Sequence, residues 1–240
     1  MKKVIGLAVA GAAIAVSTGV AHADGFSAQV NLASDYVFRG LSQTDGGAAI
    51  QGSLDYSSGI IYAGAWGSNV NFGATAPTET VSMELDAYAG IRPTTGPINW
   101  DIGVIGYFYP NADDQVFGHE LDFGEFAIQA HTKLTSNLTI GAAVNYSPNF
   151  FAGLGTSWYE EVNASYAVND QLSLNAAYGH QDVEDLGDYN TWNVGANYAL
   201  QGFQLGLNYS DTSSGAFDHG FVFDKTNANG RLAFTIGRQL

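Results

Sequence analysis

From residue 26 to the C-terminus the chain alternates apolar and polar residues with a period of two, segment after segment. Over residues 81–91 the odd positions read Val81, Met83, Leu85, Ala87, Ala89 and Ile91, and the even ones Ser82, Glu84, Asp86, Tyr88 and Gly90. A helix would scatter those two acids and the tyrosine around its surface, whereas a strand puts them on one face. The split recurs with Phe126, Ile128 and Ala130 against Glu125, Gln129 and His131, and with Leu138, Ile140, Ala142, Val144 and Tyr146 against Thr139, Asn145 and Ser147. It recurs again with Trp192, Val194, Ala196 and Tyr198 against Thr191, Asn193 and Asn197. The rhythm predicts twelve strands, at about 26–38, 48–57, 60–71, 80–92, 98–110, 120–134, 138–148, 157–168, 171–182, 188–200, 202–212 and 227–238.

The connections alternate in length. Ser57-Ser58-Gly59, residues 92–97, Thr135-Ser136-Asn137, Val168-Asn169-Asp170 and Leu200-Gln201-Gly202 are tight, while those around Gln43, Ala76, Ala112, Gly153, Leu186 and Phe217 are mostly longer. Short turns at one end and long loops at the other, with an even strand count, predict an all-β, closed antiparallel transmembrane barrel with both termini in the periplasm. Strands of ten or more residues suit a tilted membrane strand of about 9–11 residues plus its rims. Hydrocarbon cannot satisfy a free strand edge, so such a sheet must close. Tyr36, Trp66, Trp100, Tyr107, Tyr146, Trp158, Tyr178, Tyr198 and Tyr209 fall near strand ends and are expected in the interfacial girdles. A soluble sandwich with ordinary core aromatics is the alternative, and the polar face opposite each apolar stripe argues against it.

The N-terminus predicts the compartment. Lys2 and Lys3 precede an uncharged apolar stretch over residues 4–20, and Ala21-His22-Ala23 offers a small-x-small cleavage site. Residues 1–23 are expected to be a signal peptide cut after Ala23, leaving residues 24–240 as an outer-membrane barrel. A helical anchor would need about 20 apolar residues, more than this stretch supplies. Losing Lys2 and Lys3 takes the formal charge from −15 to −17, which argues against nucleic acid as a partner. Charged residues make up only 13% of the chain, against about 25% in globular proteins, and there is no cysteine for a disulfide. The last strand ends in Leu240 rather than the aromatic residue that the barrel assembly machinery, an expected partner, usually reads.

Ser34-Asp35-Tyr36-Val37-Phe38-Arg39-Gly40-Leu41-Ser42-Gln43 opens a region that resembles the TorF-type porin family of proteobacterial outer-membrane proteins. Gln51-Gly52-Ser53-Leu54-Asp55-Tyr56, Tyr62-Ala63-Gly64-Ala65-Trp66-Gly67-Ser68-Asn69, Glu84-Leu85-Asp86-Ala87-Tyr88-Ala89-Gly90 and Tyr107-Phe108-Tyr109-Pro110 continue the likeness. Ala48-Ala49 stands where a proline is expected, and beyond about residue 126 only generic alternation remains. The resemblance implies an outer-membrane porin and supplies no substrate.

Alternation puts Asp35, Asp55, Glu84, Asp86, Asp101, Glu125 and Glu161 in the lumen register. Asp35, Glu84, Asp86, Asp101 and Glu125 are expected near mid-height. Arg39 and Arg231, on the first and last strands, are expected as neighbours at the outer mouth. Together Asp35, Arg39, Asp55, Glu84, Asp86, Asp101, Glu125 and Arg231 are the candidate pore lining. An acidic wall concentrates cations, so small solutes or cations are the expected cargo and outer-membrane lipid the surrounding partner. The same acids could instead pair with Arg39, Arg231 and Lys133 and plug the lumen, since twelve strands lie between filled barrels and open ones. Catalysis would need a histidine beside a serine or a carboxylate pair, and His119, His131, His180 and His219 have no accompanying hydrolase or metalloprotease motif. No catalytic residue, cofactor or metal is expected; Glu120, Asp122 and Asp218 beside His119 and His219 match no defined ligand spacing. Binding or adhesion through outer loops at residues 72–79 and 211–225 stays open.

Overall fold

A computed structural model describes residues 24–72, 81–110, 112, 121–213 and 225–240. The expected export signal, residues 1–23, lies outside the described residues, as do His119, Glu120, Asp218 and His219. Twelve long strands follow one another: β1 (Gly25–Ala33), β2 (Ala49–Ser58), β3 (Ile61–Asn69), β4 (Met83–Ile91), β5 (Ile98–Phe108), β6 (Phe123–Lys133), β7 (Leu138–Ser147), β8 (Ser157–Ala167), β9 (Leu172–Val183), β10 (Gly187–Leu200), β11 (Phe203–Thr212) and β12 (Arg231–Gln239). Each is antiparallel to its sequence neighbours. β1 also pairs with β12, from Gln29↔Gln239 to Ala33↔Thr235, so the sheet closes on itself. The boundaries follow the alternation closely except at two places: β1 ends at Ala33, not at residue 38, and β12 begins at Arg231, not at 227, because Lys225–Ala228 forms a 3-10 helix.

The barrel is apolar outside and polar inside. Leu32, Ile50, Leu54, Val104, Ile128, Val162, Val194 and Leu232 are exposed, while Asn31, Gln51, Ser68, Glu84, Gln129, Asn145, Thr191 and Ser210 are buried. Register keeps the two sets apart, because paired residues share a face: Ile102 lies opposite Ile128, and Ile128 opposite Val144. A one-residue slip would turn every inner side chain outward.

The short turns hold the register at one end. Gln201 and Gly202, with φ of 50° and 87°, link β10 to β11 in the mirror-image turn that matches strand twist. At the other end the links are long, apart from residues 184–186, and among the described residues the aromatic side chains of Tyr36, Phe72, Tyr109 and Phe151 fold inward. Tyr36, Val70, Phe72, Val81, Tyr107, Tyr109, Leu121, Phe123 and Phe151 form a buried cluster inside the upper barrel. The Tyr107 and Phe123 rings stack 4.3 Å apart, and Phe151 meets Phe72 and Tyr109 edge-on.

This cluster corrects the girdle assignment. Tyr36 and Tyr107 are buried inside, and Trp66 packs edge-on against Tyr36 from the inner face. Val81, placed by its rhythm on the outer face, also packs into the cluster. Trp158, Tyr178, Tyr198 and Tyr209 do face outward, Trp158 against Tyr146 and Tyr209 against Trp192. Tyr107 shares the parity of Asp101, and Trp66 that of Ser68, so alternation puts both on the inner face; the girdle assignment rested instead on their nearness to a strand end.

Ile128 is 51% exposed on β6, and in water an arginine there would cost little. In a lipid vesicle Ile128→Arg should destabilise the barrel by about 2–4 kcal/mol, read from its urea midpoint. A change within roughly 0.5 kcal/mol would mean that this face meets water.

Candidate functional site: a lumen capped by an inward hairpin

The chain between β1 and β2 folds into the barrel mouth as a miniature hairpin. Val37–Phe38 pairs with Leu41–Ser42, and Arg39 and Gly40 make the tip at φ 47° and 84°. Both tip residues are left-handed, as a two-residue mirror-image turn requires. For arginine that conformation is uncommon, and it is held here by strong contacts on the far wall. Asp35 organises the base: it accepts from Ser42 Oγ at 2.6 Å and from Thr44 Oγ1 at 3.0 Å, and its other oxygen binds Arg231 Nη1 at 2.6 Å. Tyr36 donates to Glu84 Oε1 at 3.0 Å. Burial pushes its phenol well above the ordinary value, with Glu84 and Asp86 adding to the effect, so it remains a neutral donor.

The tip crosses the lumen. Arg39 donates through both terminal nitrogens to the two oxygens of Glu125 on β6, at 2.8 and 2.7 Å, and to Gln181 Oε1 on β9 at 2.9 Å. Its guanidinium lies 4.3 Å from the Tyr159 ring centre on β8 and 4.6 Å from Phe38. Burial works against its charge, but Glu125 more than offsets this and holds its pKa above the ordinary arginine value. Gly40 touches β10 and β11 so closely that a Cβ would stand 2.5 Å from Thr191 Oγ1. Arg39 is thus a loop residue bound to the opposite wall, not a first-strand residue beside Arg231 as the alternation placed it.

Tyrosines hold most of the lumen acids. Tyr62 donates to Asp101 at 2.5 Å, Tyr88 to Asp55 at 2.6 Å, Tyr159 to Glu161 at 2.8 Å and Tyr107 to Glu125 at 3.3 Å. Glycines make room for the rings: a Cβ on Gly64 would meet Tyr88, one on Gly90 or Gly103 would meet Tyr62, and one on Gly179 would meet Tyr159. Arg92 adds an ion pair to Asp101 at 2.9 Å. Asp86 is 4% exposed, and its Oδ1 has no hydrogen-bond partner among the described residues.

The opposite half of the lumen is open. A cavity of about 220 Å³ lies beneath the hairpin, bounded by inner residues of β6–β12 that include Asn145, Glu161, Asn163, Asn175, Asn193 and Asn208. It runs down to Thr139 and Ser173, each one residue inside its strand's foot. Of the candidate pore-lining residues, Asp35 and Arg39 border this cavity. Asp55, Glu84, Asp86, Asp101, Glu125 and Arg231 are packed in the wall around it. Nor do the acids share one height. Glu84, Asp86 and Glu125 sit at the long-loop end of their strands, and Asp101 at the short-turn end. The alternation places Asn145, Asn193 and Asn197 on the polar face, but the candidate lining named only charged residues, although five asparagines in the inner register of β8–β11 were a visible signal. His131 borders the cavity, whereas His180 faces outward with Nδ1 3.1 Å from Asn190 Oδ1.

A closed twelve-stranded barrel with an oily outside and a wet, loop-capped inside is the fold of outer-membrane porins. The KdgM porin superposes with a TM-score of 0.59 at 8% identity, covering 89% of this chain and 97% of that one. The NanC porin gives 0.55 at 10% identity, covering 89% and 98%. The KdgM porin in complex with disordered oligogalacturonate gives 0.57 at 7%, covering 89% and 96%. By sequence the chain belongs to a family described as bacterial proteins of unknown function (Gcw_chp), whose model matches residues 17–235. No curated protein matches it.

Arg39 and Glu125 have side chains only 6% and 1% exposed, so each would be a buried lone charge without the other. Glu125→Gln should lower stability by about 3–5 kcal/mol. Adding Arg39→Met should restore part of the loss in a double-mutant cycle; strictly additive effects would show that the pair is not coupled.

Proposed function

We propose that the protein is a narrow outer-membrane channel for passive passage of small solutes, neutral and cationic ones ahead of anions. The observation that carries this reading is the polar cavity running along the inside of a barrel whose outside is apolar. On this reading the chain is exported on residues 1–23, is cut after Ala23, and reaches the outer membrane through the barrel assembly machinery. The porin folds of KdgM and NanC, and the resemblance of residues 34–43 to the TorF-type porins, support the same role.

The charge preference follows from the inner face. Seven described acids point inward, Asp35, Asp55, Glu84, Asp86, Asp101, Glu125 and Glu161, while Arg39, Arg92 and Arg231 are each bound to one of them. No described arginine of the inner face is free to receive an anion, so the field along the path attracts cations. Anionic oligosaccharides such as the oligogalacturonate in the KdgM complex are therefore poor candidates for this chain.

The hairpin is the constriction. Because its tip is held by Arg39 against β6 and β9, the bore at the mouth is set by that contact. A second reading, in which hairpin and aromatic cluster form a permanent plug and the outer loops act in binding or adhesion, draws on the same filled mouth. Single-channel recording of the folded protein in a planar bilayer separates the two. Steps with a cation-selective reversal potential under a salt gradient are expected, and Arg39→Ala should enlarge them several-fold. Glu161→Gln, at an acid that borders the cavity, should shift the reversal potential toward zero. Silence from both the wild type and Arg39→Ala would establish the plug and discard the channel.

A further inference from the structure

We infer that the open half of the lumen is a binding site for a neutral polyhydroxylated solute of monosaccharide or small-polyol size. This deepens the channel reading and rests on it for its role in passage. The wall of the cavity sets amides among alanines and other small side chains. Asn197 Nδ2 donates to Asn175 Oδ1 at 3.1 Å, and Asn175 Nδ2 donates to Asn208 Oδ1 at 3.4 Å. Each amide has two N–H donors and a carbonyl with two lone pairs, so this chain leaves donors and acceptors over at every member. A hydroxyl group is donor and acceptor at once, and a wall that offers both in alternation matches a row of them.

The amides are held in place rather than dangling into the bore. Asn175 and Asn208 close over Gly195, where a Cβ would stand 3.1 Å from Asn175 Nδ2. Asn163 lies over Gly141, where a Cβ would stand 2.6 Å from its Oδ1. Lying flat, they keep the cavity clear and lose little freedom when a ligand arrives.

Thr235 and His131 border the same cavity, but Thr235 Oγ1 and His131 Nε2 are turned into the wall and out of reach of an occupant. The cavity of about 220 Å³ lies below the about 300–1,000 Å³ of sites for drug-sized ligands.

Charge decides the class. The guanidinium of Arg39 that borders the cavity is bound to Glu125 and Gln181, and Asp35 is neutralised by Arg231. Glu161 accepts from Tyr159 and Asn163 and remains the net charge of the site. A carboxylate or phosphate would find no free cation there and would face Glu161, whereas an uncharged polyol meets the amides with its hydroxyls and the alanines between them with its C–H faces.

The test is calorimetric titration of the full-length barrel, folded in detergent, with D-glucose, glycerol and D-glucuronate. Saturable millimolar binding of glucose or glycerol is expected, with glucuronate at least tenfold weaker. Asn193→Ala removes one amide that borders the cavity, so the barrel should fold as before and bind roughly fivefold more weakly. Asn175→Leu combined with Asn208→Leu should abolish binding. Absence of saturable heat, glucuronate binding as tightly as glucose, or unchanged affinity in Asn193→Ala would each overturn the assignment. Because binding is read without current, its failure in a barrel that still conducts would refute the polyol site alone. Binding in a barrel that never conducts would refute the channel alone.

Discussion

A strand edge in hydrocarbon has no hydrogen-bond partner, and the pairing of β1 with β12 removes the last such edge of this sheet. Everything else in the molecule is arranged around that closure. Once the sheet is a cylinder, alternation along each strand becomes a division between outside and inside, and the usual logic of a protein core is reversed. The oily residues face out, and the buried polar groups must find partners across the lumen. Tyrosine hydroxyls supply many of them, laid flat over glycines so that a carboxylate can be bound without filling the bore.

The interior is therefore not uniform. Under the mouth, β3–β6 and the inward loops build a packed region of aromatic rings, tyrosine–carboxylate pairs and the Arg39 anchor. Across from it, β7–β12 carry small residues and amides and leave space. A barrel of intermediate size can be filled or open, and this one is filled on one side and open on the other. The hairpin of residues 37–42 joins the halves, with its base on Asp35 and its tip against the far wall. Its role follows from where it ends: a loop that stopped at the rim could not set the bore.

The resemblance motif around Arg39-Gly40 and the inward hairpin are the same piece of chain. Read along the sequence, residues 34–38 continue the alternation of β1 well enough to pass for its upper end. In the structure Asp35 turns the chain inward by accepting from Ser42 and Thr44. Those bonds join residues on both sides of the tip, so no period within one segment reports them. The lumen acids show the same divide. Their inner register follows from periodicity, but their heights and partners depend on which strand stands beside which and how far each is staggered.

The amino-acid order alone was enough for the twelve strands, their closure, the outer and inner faces and the excess of acid within, because strand periodicity is local and repeats. It could not say that the bore is half filled, that Arg39 reaches Glu125, or that asparagines outnumber acids around the open space. Those outcomes are set by contacts between residues far apart in the chain, 86 positions in the case of Arg39 and Glu125. Contacts at that distance exist only once the cylinder has closed.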